Sequence, residues 1–242
     1  METVIVTGAA GGIGSLVARH LSATHHVIGL DVSPSPEVTH RVDLSCLAEV
    51  RQFVETGGFL DTRAITGIVH CAGVQSKGSV GELGTDAWIS LLNVNVRCID
   101  VLVNEIVRRK SPTDLSVVVL GSVHSTATSR NALGYSVSKS ALAGWVRAAA
   151  LELGPAGVRV NCVSPGAIAT GMLEEGLSRR DGDTGPNLLK QIAFRTPMRR
   201  LGLPSDLFSA VSLLLDTEAS GFMTGSEIVI DGGVSICLAS EV

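Results

Sequence analysis

The sequence contains a single tyrosine, Tyr135, and a lysine, Lys139, follows it four residues later. The surrounding run is predicted to begin a long helix, on which a spacing of four residues places both side chains on one face. A phenol ionises at about pH 10 in water and is a poor base at neutral pH, but a nearby ammonium favours the phenolate. The pair therefore predicts an acid/base group that exchanges a proton with a bound substrate.

A serine, Ser122, directly follows a β-branched run that ends at Leu120 and Gly121. In a parallel sheet the carboxyl ends of the strands face the ligand crevice, so this hydroxyl could donate a hydrogen bond to the reacting oxygen. A serine that only caps a turn would give the same local pattern.

A glycine-rich loop, Thr7–Gly14, lies between the first predicted strand and an amphipathic helix. Glycines at this place let the backbone approach a pyrophosphate, whose charge is then stabilised by the N–H groups at the start of the helix. The loop predicts a dinucleotide site that includes Gly8, Gly12, Ile13 and Gly14. A plain glycine turn between a strand and a helix is the alternative.

An acidic residue, Asp31, ends the second predicted strand, about 20 residues beyond the glycine loop. A carboxylate at this place accepts hydrogen bonds from the adenosine ribose and repels a 2′-phosphate. Its neighbours Val32 and Ser33 are not basic, and the glycine loop contains no arginine or lysine. The pattern favours NAD over NADP, and a simple turn residue at the strand end is the alternative.

Short β-branched runs alternate with helix-length amphipathic stretches, which is typical of repeated βαβ units. The predicted strands are Val4–Thr7, Val27–Asp31, Arg41–Asp43, Ile65–His70, Leu115–Gly121, Val158–Val163 and Glu227–Ile230. The predicted helices are Gly12–Leu21, Leu47–Glu55, Asp86–Arg109, Tyr135–Leu153 and Ser205–Asp216. The pattern predicts an α/β fold, a single Rossmann domain over 1–242 with a doubly wound parallel sheet of about seven strands and helices on both faces. Residues 171–198 fit neither kind of element and are predicted to form a substrate lid.

The composition argues against several other classes of protein. A formal net charge of -4 and scattered basic residues are unlike a nucleic-acid binder. The sequence has no signal-peptide pattern and no apolar stretch of about 18 residues, so we expect no membrane contact and a soluble, cytoplasmic protein. Five widely spaced cysteines are expected to be reduced thiols, and the spacing of the six histidines predicts no metal site.

Together, these motifs resemble the short-chain dehydrogenase/reductases over essentially the whole chain. The loop Thr7–Gly14 is similar to the TGxxxGxG motif of that family, and the Tyr-x-x-x-Lys pair follows Ser122 by the usual interval. The resemblance implies that Ser122, Tyr135 and Lys139 form the active site. It also implies a homo-oligomer, and many members of the family are tetramers.

The same resemblance assigns further residues around the cofactor. Asn95, in the run Trp88–Val96, is expected to hold a water that relays protons from Lys139, in preference to Asn93. The residues expected to contact the cofactor are Asp43 at the adenine, Ala72 and Gly73 after the fourth strand, and Ile168 and Thr170 at the nicotinamide carboxamide.

One segment departs from the family pattern. His70 and Cys71 stand where the family usually has two asparagines that brace the central sheet. An imidazole has fewer polar groups with which to bridge neighbouring strands. Cys71 is expected to be a small buried side chain and not a nucleophile.

The predicted activity is hydride transfer between NAD and a secondary alcohol or ketone, with Tyr135 as the acid/base group. Gln75, His124 and the Arg179-Arg180 pair are candidate substrate contacts, and each is as easily a solvated surface residue. One alternative is an NADPH-dependent 3-oxoacyl carrier-protein reductase, which the segment 196–204 and the tail also resemble. The other is a non-catalytic protein that senses NAD or scaffolds partners.

Overall fold

Runs of valine, isoleucine and leucine form a single parallel sheet in the computed structural model, which describes residues 1–57, 64–110, 114–178 and 185–238. Side chains of this kind pack well on a pleated surface that helices cover from both sides. The strands are β1 (Thr3–Thr7), β2 (His26–Asp31), β3 (His40–Arg41), β4 (Ile65–His70), β5 (Leu115–Leu120), β6 (Val158–Pro165) and β7 (Glu227–Ile230). Each predicted strand is present, which confirms the α/β fold with seven strands.

The third strand is the one whose bounds differ most from the prediction. It was expected at Arg41–Asp43 and lies at His40–Arg41. Asp43 instead accepts hydrogen bonds on one carboxylate oxygen from the N–H and the hydroxyl of Ser45, at 2.8 and 2.7 Å. This local turn takes the chain out of the sheet.

The strand order β3-β2-β1-β4-β5-β6-β7 determines where a ligand can bind. The chain runs outwards from β1 to β3, then returns to the other side of β1 and continues from β4 to β7. The order of the strands therefore reverses between β1 and β4, and open α/β sheets bind their ligands at the carboxyl ends beside such a reversal. The glycine loop after β1 and the segment after β4 both begin at this place.

The helices of the described residues lie on both faces of the sheet. They are α1 (Gly14–Leu21), α2 (Leu47–Thr56), α3 (Thr85–Leu92), α4 (Cys98–Lys110), α5 (Leu133–Leu153), α6 (Gly171–Ser178), α7 (Gly185–Arg195), α8 (Phe208–Leu215) and α9 (Thr217–Ser220). A π-helical segment, Asn93–Arg97, joins α3 to α4, so the single helix expected over 86–109 is continuous but locally widened. A 3₁₀ turn, Pro204–Leu207, precedes α8 where one helix was expected.

The expectation of an irregular connection over 171–198 is wrong in part, because α6 and α7 occupy much of it. Apolar residues three and four positions apart, such as Leu188, Leu189 and Ile192, supply the helical period that the charged and glycine-rich centre obscures. The predicted Arg179-Arg180 contact lies outside the described residues.

An apolar core lies on each face of the sheet, formed by side chains of the strands and of the helices that cover them. On one face α2, α4 and α5 pack on the sheet through fully buried side chains such as Leu102 and Leu142. On the other face α1 and α8 pack through Leu21 and Leu214. Burial of each such leucine contributes about 2 kcal/mol from the removal of apolar surface from water. The two cores hold the carboxyl ends of the strands rigidly, and the loops at that edge are built on them.

No helix in the described part of the chain is both long enough and apolar enough to cross a bilayer. Within the same ranges, no group of three or more histidine, cysteine or acidic side chains could hold a metal ion.

Candidate active site

The helix α5 brings Tyr135 and Lys139 together at the carboxyl end of β5. The Lys139 Nζ atom lies 5.7 Å from the centroid of the Tyr135 ring. Lys139 is only 4% exposed, and its Nζ donates a hydrogen bond of 2.7 Å to the carbonyl of Leu120, the last residue of β5. This bond fixes a largely desolvated ammonium beside the phenol.

Ser122 lies two residues beyond β5 and is also buried. Its Oγ accepts a hydrogen bond of 3.2 Å from the N–H of His124. The imidazole of His124 packs edge-on against the Tyr135 ring, with ring centroids 5.4 Å apart and an interplanar angle of 72°. His124 thus contacts both Ser122 and Tyr135. It therefore remains a candidate substrate contact.

Asn95 is fully buried in the π-helical segment, and its side-chain amide is engaged by protein atoms. Its oxygen accepts from the N–H of Val74 at 2.8 Å, and its nitrogen donates to the Val74 carbonyl at 3.0 Å and to Ser138 Oγ at 2.8 Å. The side chain therefore fastens the segment after β4 to α5. The water relay expected for this residue stays a prediction.

The glycine loop packs against neighbouring backbone so closely that two of its positions have no room for a side chain. Gly8 has a φ of 70°, and a Cβ there would lie 2.6 Å from the backbone nitrogen of Ala72. A Cβ on Gly14 would lie 2.0 Å from the carbonyl oxygen of Gly8. Ile13 precedes α1 without any side-chain cap. In the first turn of the helix, the N–H of Ser15 donates to the carbonyl of Gly11 at 3.0 Å.

The carboxylate of Asp31 is fixed at the end of β2 by two backbone donors. One oxygen accepts from the N–H of Ala10 at 3.0 Å and the other from the N–H of Ser33 at 2.9 Å. Each oxygen keeps a lone pair for a further hydrogen bond. The carboxylate can therefore accept hydrogen bonds from both hydroxyls of a ribose. The other acidic candidate, Asp43, lies beyond the end of β3.

A basic residue that the sequence prediction did not consider, Arg41, lies beside Asp31. The two residues are paired in register between β2 and β3, and Arg41 Nε donates to the carbonyl of Val32 at 3.1 Å. Its guanidinium is thus held at the edge where the adenosine is expected. The signal that could have found it is strand pairing, which a single sequence does not reveal.

The residues expected at the nicotinamide end also converge. A Cβ on Gly12 would lie 3.0 Å from Thr170 Cβ, and Thr170 Oγ1 donates to the Ile168 carbonyl at 3.3 Å. A Cβ on Gly73 would lie 3.7 Å from Lys139 Nζ. These contacts connect the glycine loop, the segment after β6 and the ammonium around one crevice.

Of the remaining substrate candidates, Gln75 faces α6. Its Oε1 atom lies 3.3 Å from the position that a Cβ on Gly176 would occupy. The second half of α6 therefore lies next to the loop that follows β4, which is where a lid would have to be. Closure of α6 over a substrate stays a prediction.

Of the two residues that depart from the family pattern, His70 is fully buried and Cys71 is half-buried. His70 Nδ1 lies 2.7 Å from Thr7 Oγ1, so the imidazole does bridge β4 to β1. Burial lowers the pKa of His70 to about 3, and the Lys139 ammonium acts in the same direction. Burial raises the pKa of the Cys71 thiol to about 12, which agrees with a packing role and leaves little thiolate at neutral pH.

Acid is expected to destabilise the fold through His70. Histidines in the unfolded chain titrate near pH 6.5, so below that pH protons bind the unfolded chain and not the buried imidazole. The free energy of unfolding should fall by about 1.4 kcal/mol for each pH unit between about 6.5 and the pKa of the folded group. Urea unfolding of the wild type and of His70→Asn at several pH values measures the difference. An identical pH dependence in both proteins would contradict a buried neutral imidazole.

A family model described as enoyl-(acyl carrier protein) reductase matches residues 8–235, a span that includes the glycine loop, Ser122, Tyr135 and Lys139. The chain belongs to the short-chain dehydrogenase/reductase family. Members of this family act on CH–OH or carbonyl groups and bind a nicotinamide cofactor, so the protein is an oxidoreductase of that kind.

Individual relatives of this short-chain dehydrogenase/reductase match it over nearly their whole length. It is 30% identical to 3-alpha-hydroxysteroid dehydrogenase/carbonyl reductase of Comamonas testosteroni, over 97% of the chain and 96% of the relative. It is 25% identical to 3-oxoacyl-(acyl-carrier-protein) reductase FabG of Buchnera aphidicola, over 96% and 97% respectively. Among solved structures, the aldohexose dehydrogenase of Thermoplasma acidophilum superposes with a TM-score of 0.89 at 28% identity, over 98% of the chain and 95% of that structure.

Proposed function

We propose that the protein transfers a hydride between NAD and a secondary alcohol or ketone, with Tyr135 as the acid/base group. The observation that carries the proposal is the placement of the only tyrosine beside a buried ammonium, at the carboxyl end of β5. A protein that only sensed NAD would have no use for a phenol kept next to a desolvated positive charge. The proposal therefore favours an enzyme over a sensor or scaffold.

The chain supplies binding, orientation and proton transfer. The oxygen of the alcohol binds between Ser122 and Tyr135, and Tyr135 removes its proton as the carbinol hydride leaves. Lys139 would stabilise the phenolate electrostatically and would hold the ribose hydroxyls of the cofactor. The nicotinamide, when bound, supplies the acceptor for the hydride. Carbonyl reduction uses the same groups in reverse.

The glycine loop, Asp31 and the segment after β6 fit a dinucleotide. A Cβ at Gly8 or Gly14 would clash with neighbouring backbone, so the loop stays free of side chains there, and the start of α1 has no side-chain cap that would compete with a pyrophosphate. Asp31 supports NAD, because a fixed carboxylate that accepts two ribose hydroxyls repels a 2′-phosphate. Ile168 and Thr170 would orient the carboxamide, and Asp43 would meet the adenine.

A second candidate is an NADPH-dependent 3-oxoacyl carrier-protein reductase. Arg41 favours it, since its guanidinium lies at the ribose edge and makes no ion pair in the described parts of the chain. NAD binding requires the Asp31 carboxylate at the ribose, whereas NADPH binding requires the Arg41 guanidinium there.

Cofactor preference decides between these two candidates. We expect NADH to bind at least about tenfold more tightly than NADPH, because NADPH would place a phosphate against the Asp31 carboxylate. In Asp31→Ala the preference should shift towards NADPH, and in Arg41→Ala the affinity for NADH should stay within about twofold of the wild type. Titrations of the wild type and both variants with NADH and with NADPH, followed by nicotinamide fluorescence, measure all six affinities. A wild-type preference for NADPH, abolished in Arg41→Ala, would instead favour the second candidate.

The alcohol substrate is tested by a panel of ring alcohols, polyols and hydroxyacyl thioesters with NAD⁺, followed by the absorbance of the reduced cofactor. The proposal expects turnover of at least one class. Tight binding of NAD with no turnover over the whole panel would favour a sensor or scaffold.

The proposed function also includes the assembly of several copies of the chain and the closure of a lid over the substrate. We expect a homo-oligomer, with a tetramer as the first expectation, and light scattering after size exclusion measures its mass. The substrate lid at 171–198 would act through α6, which lies next to Gln75. No nucleic acid and no membrane take part in the proposed reaction, and the cytoplasmic location stays a prediction.

A further inference from the structure

The first residue of the π-helical segment, Asn93, holds a turn that lies beyond the edge of the sheet. Its Nδ2 donates to the carbonyl of Ser45 at 2.8 Å, and its Oδ1 accepts from Arg97 at 2.9 Å. Ser45 is 48 positions away in the chain, in the turn that follows β3. Asn93 is half-buried, and the proposed transfer of a hydride and a proton does not involve it.

Ser45 connects Asn93 to the carboxylate of Asp43. The N–H and the hydroxyl of Ser45 both donate to one oxygen of that carboxylate, at 2.8 and 2.7 Å. The residue between them, Leu44, is buried in the core under α2, α4 and α5. The turn is thus held to the core by Leu44 and to the π-helical segment by Asn93, and together they determine where the Asp43 carboxylate lies.

This turn lies where the adenine of a dinucleotide would bind. β2 ends at Asp31, the carboxylate proposed for the ribose, and β3 is the next strand outwards. The turn after β3 is therefore at the carboxyl edge of the sheet, on the far side of the ribose from the nicotinamide. Ligands of open α/β sheets bind outside this edge, so the base has to lie near the turn. The Asp43 oxygen that does not contact Ser45 can accept a hydrogen bond from the exocyclic amine of adenine.

The same π-helical segment also holds a loop at the other end of the site. Asn95, two positions beyond Asn93, exchanges hydrogen bonds with both main-chain polar groups of Val74, at 2.8 and 3.0 Å. Val74 directly follows Gly73, where a Cβ would lie 3.7 Å from Lys139 Nζ. Side chains two positions apart on a helix project from nearly opposite sides, so one short segment can hold two separate loops.

We propose that Asn93 is a positioning residue for the adenine, and that the π-helical segment couples the adenine end of the dinucleotide site to its nicotinamide end. The inference rests on the proposed function, which supplies the dinucleotide. Adenine bound at Asp43 stabilises the turn at Ser45, and the bond from Asn93 extends this ordering to the segment that holds Val74 through Asn95. A loop that is already ordered loses less entropy when the nicotinamide half binds, and this is positive cooperativity between the two halves.

Fragments of the cofactor test the positioning role without any substrate. Calorimetric titrations with 5′-AMP and with reduced nicotinamide mononucleotide measure the affinity of each half separately. In Asn93→Ala the affinity for AMP should fall by about three- to tenfold, the loss expected for one hydrogen bond, and the affinity for the mononucleotide should stay within about twofold of the wild type. The nearly isosteric Asn93→Asp should lose the same affinity for AMP, because a carboxylate still accepts from Arg97 but has no N–H for the Ser45 carbonyl.

Asn104→Ala is the matched control for these titrations. Asn104 is an exposed asparagine in α4, which continues directly from the π-helical segment. Its affinities for both fragments should equal those of the wild type. An equal loss of affinity for both fragments in the two Asn93 variants would show a general destabilisation and overturn the positioning role. An unchanged affinity for AMP would overturn it as well.

Adenosine tests the coupling, since it has no phosphate that would repel the mononucleotide. In the wild type, saturating adenosine should raise the affinity for reduced nicotinamide mononucleotide by about fivefold, as is usual for two coupled sites. In Asn93→Ala the factor should fall below about twofold. A wild type that does not respond to adenosine, or the same factor in both proteins, would overturn the coupling while leaving the proposed function intact. If the wild type binds neither NADH nor either fragment, the proposed function itself fails.

Discussion

Tyr135→Phe is expected to lower kcat for alcohol oxidation by about 10²–10⁴-fold, the usual contribution of a positioned acid/base group. The change removes one oxygen atom and keeps the ring that packs against His124. Because the sequence has no other tyrosine, no second phenol can replace it. Initial rates with NAD⁺ and an alcohol that the wild type oxidises measure the effect, and the affinity for NADH should stay within about tenfold of the wild type, the loss expected for one hydrogen bond.

A hydroxyl on the same helix provides the control for this substitution. Ser140 lies one position beyond Lys139, is exposed, and donates through Oγ to the carbonyl of Ser125 at 2.8 Å. Ser140→Ala should keep kcat within about threefold of the wild type, since it contacts neither the phenol nor the ammonium. Turnover of Tyr135→Phe within tenfold of the wild type would be irreconcilable with a proton-transfer role of the usual size.

Gly14→Ala is expected to lower the free energy of unfolding by at least about 3 kcal/mol and to abolish tight dinucleotide binding. The new Cβ would lie 2.0 Å from the carbonyl oxygen and 2.7 Å from the carbonyl carbon of Gly8, so backbone and not a flexible side chain has to move. The movement would displace the N–H groups that a pyrophosphate requires. Chemical denaturation and NADH fluorescence measure the two effects.

Gly144→Ala separates this steric effect from a general intolerance of alanine. Gly144 lies within α5, and a Cβ there would come no closer than 4.0 Å to a neighbour, the end of the Arg147 side chain. Alanine stabilises a helix relative to glycine, so the free energy of unfolding should rise by about 0.5–1 kcal/mol. An undiminished affinity for NADH in Gly14→Ala would show that the loop does not bind the cofactor as proposed.

The parts of the fold that follow a regular period were predictable from the sequence. The bounds of β4 and β7 agree with the prediction to the residue, because apolar β-branched runs there end sharply at polar or glycine residues. The start of α5 differs by two residues, since no strong N-terminal cap marks it. The spacing of Tyr135 and Lys139 was sufficient to predict that they meet, because a helix determines it locally.

The parts that depend on distant residues were not predictable in this way. The pairing of Asp31 with Arg41 arises from the register of β2 and β3. The sequence prediction began β3 one residue too late and ended it two residues too late. The bridge from His70 to Thr7 joins residues 63 positions apart in the chain, so the sequence indicated the departure but not its partner. The π-helical turn at Asn95 leaves no periodic signal, since it shifts the helix by a single residue.

A crystal structure with NAD bound tests the central claim most directly, because that claim places a phenol, an ammonium and a nicotinamide around one reacting carbon. We predict that Tyr135 Oη and Lys139 Nζ lie at hydrogen-bond distance, about 2.6–3.2 Å, from the hydroxyls of the nicotinamide ribose. The nicotinamide ring should lie beside Ile168. Ser122 should lie on the opposite side of the bound substrate from the Tyr135 hydroxyl. A dinucleotide bound elsewhere, or a Tyr135 hydroxyl that points out of the crevice and away from Lys139, would contradict the assignment.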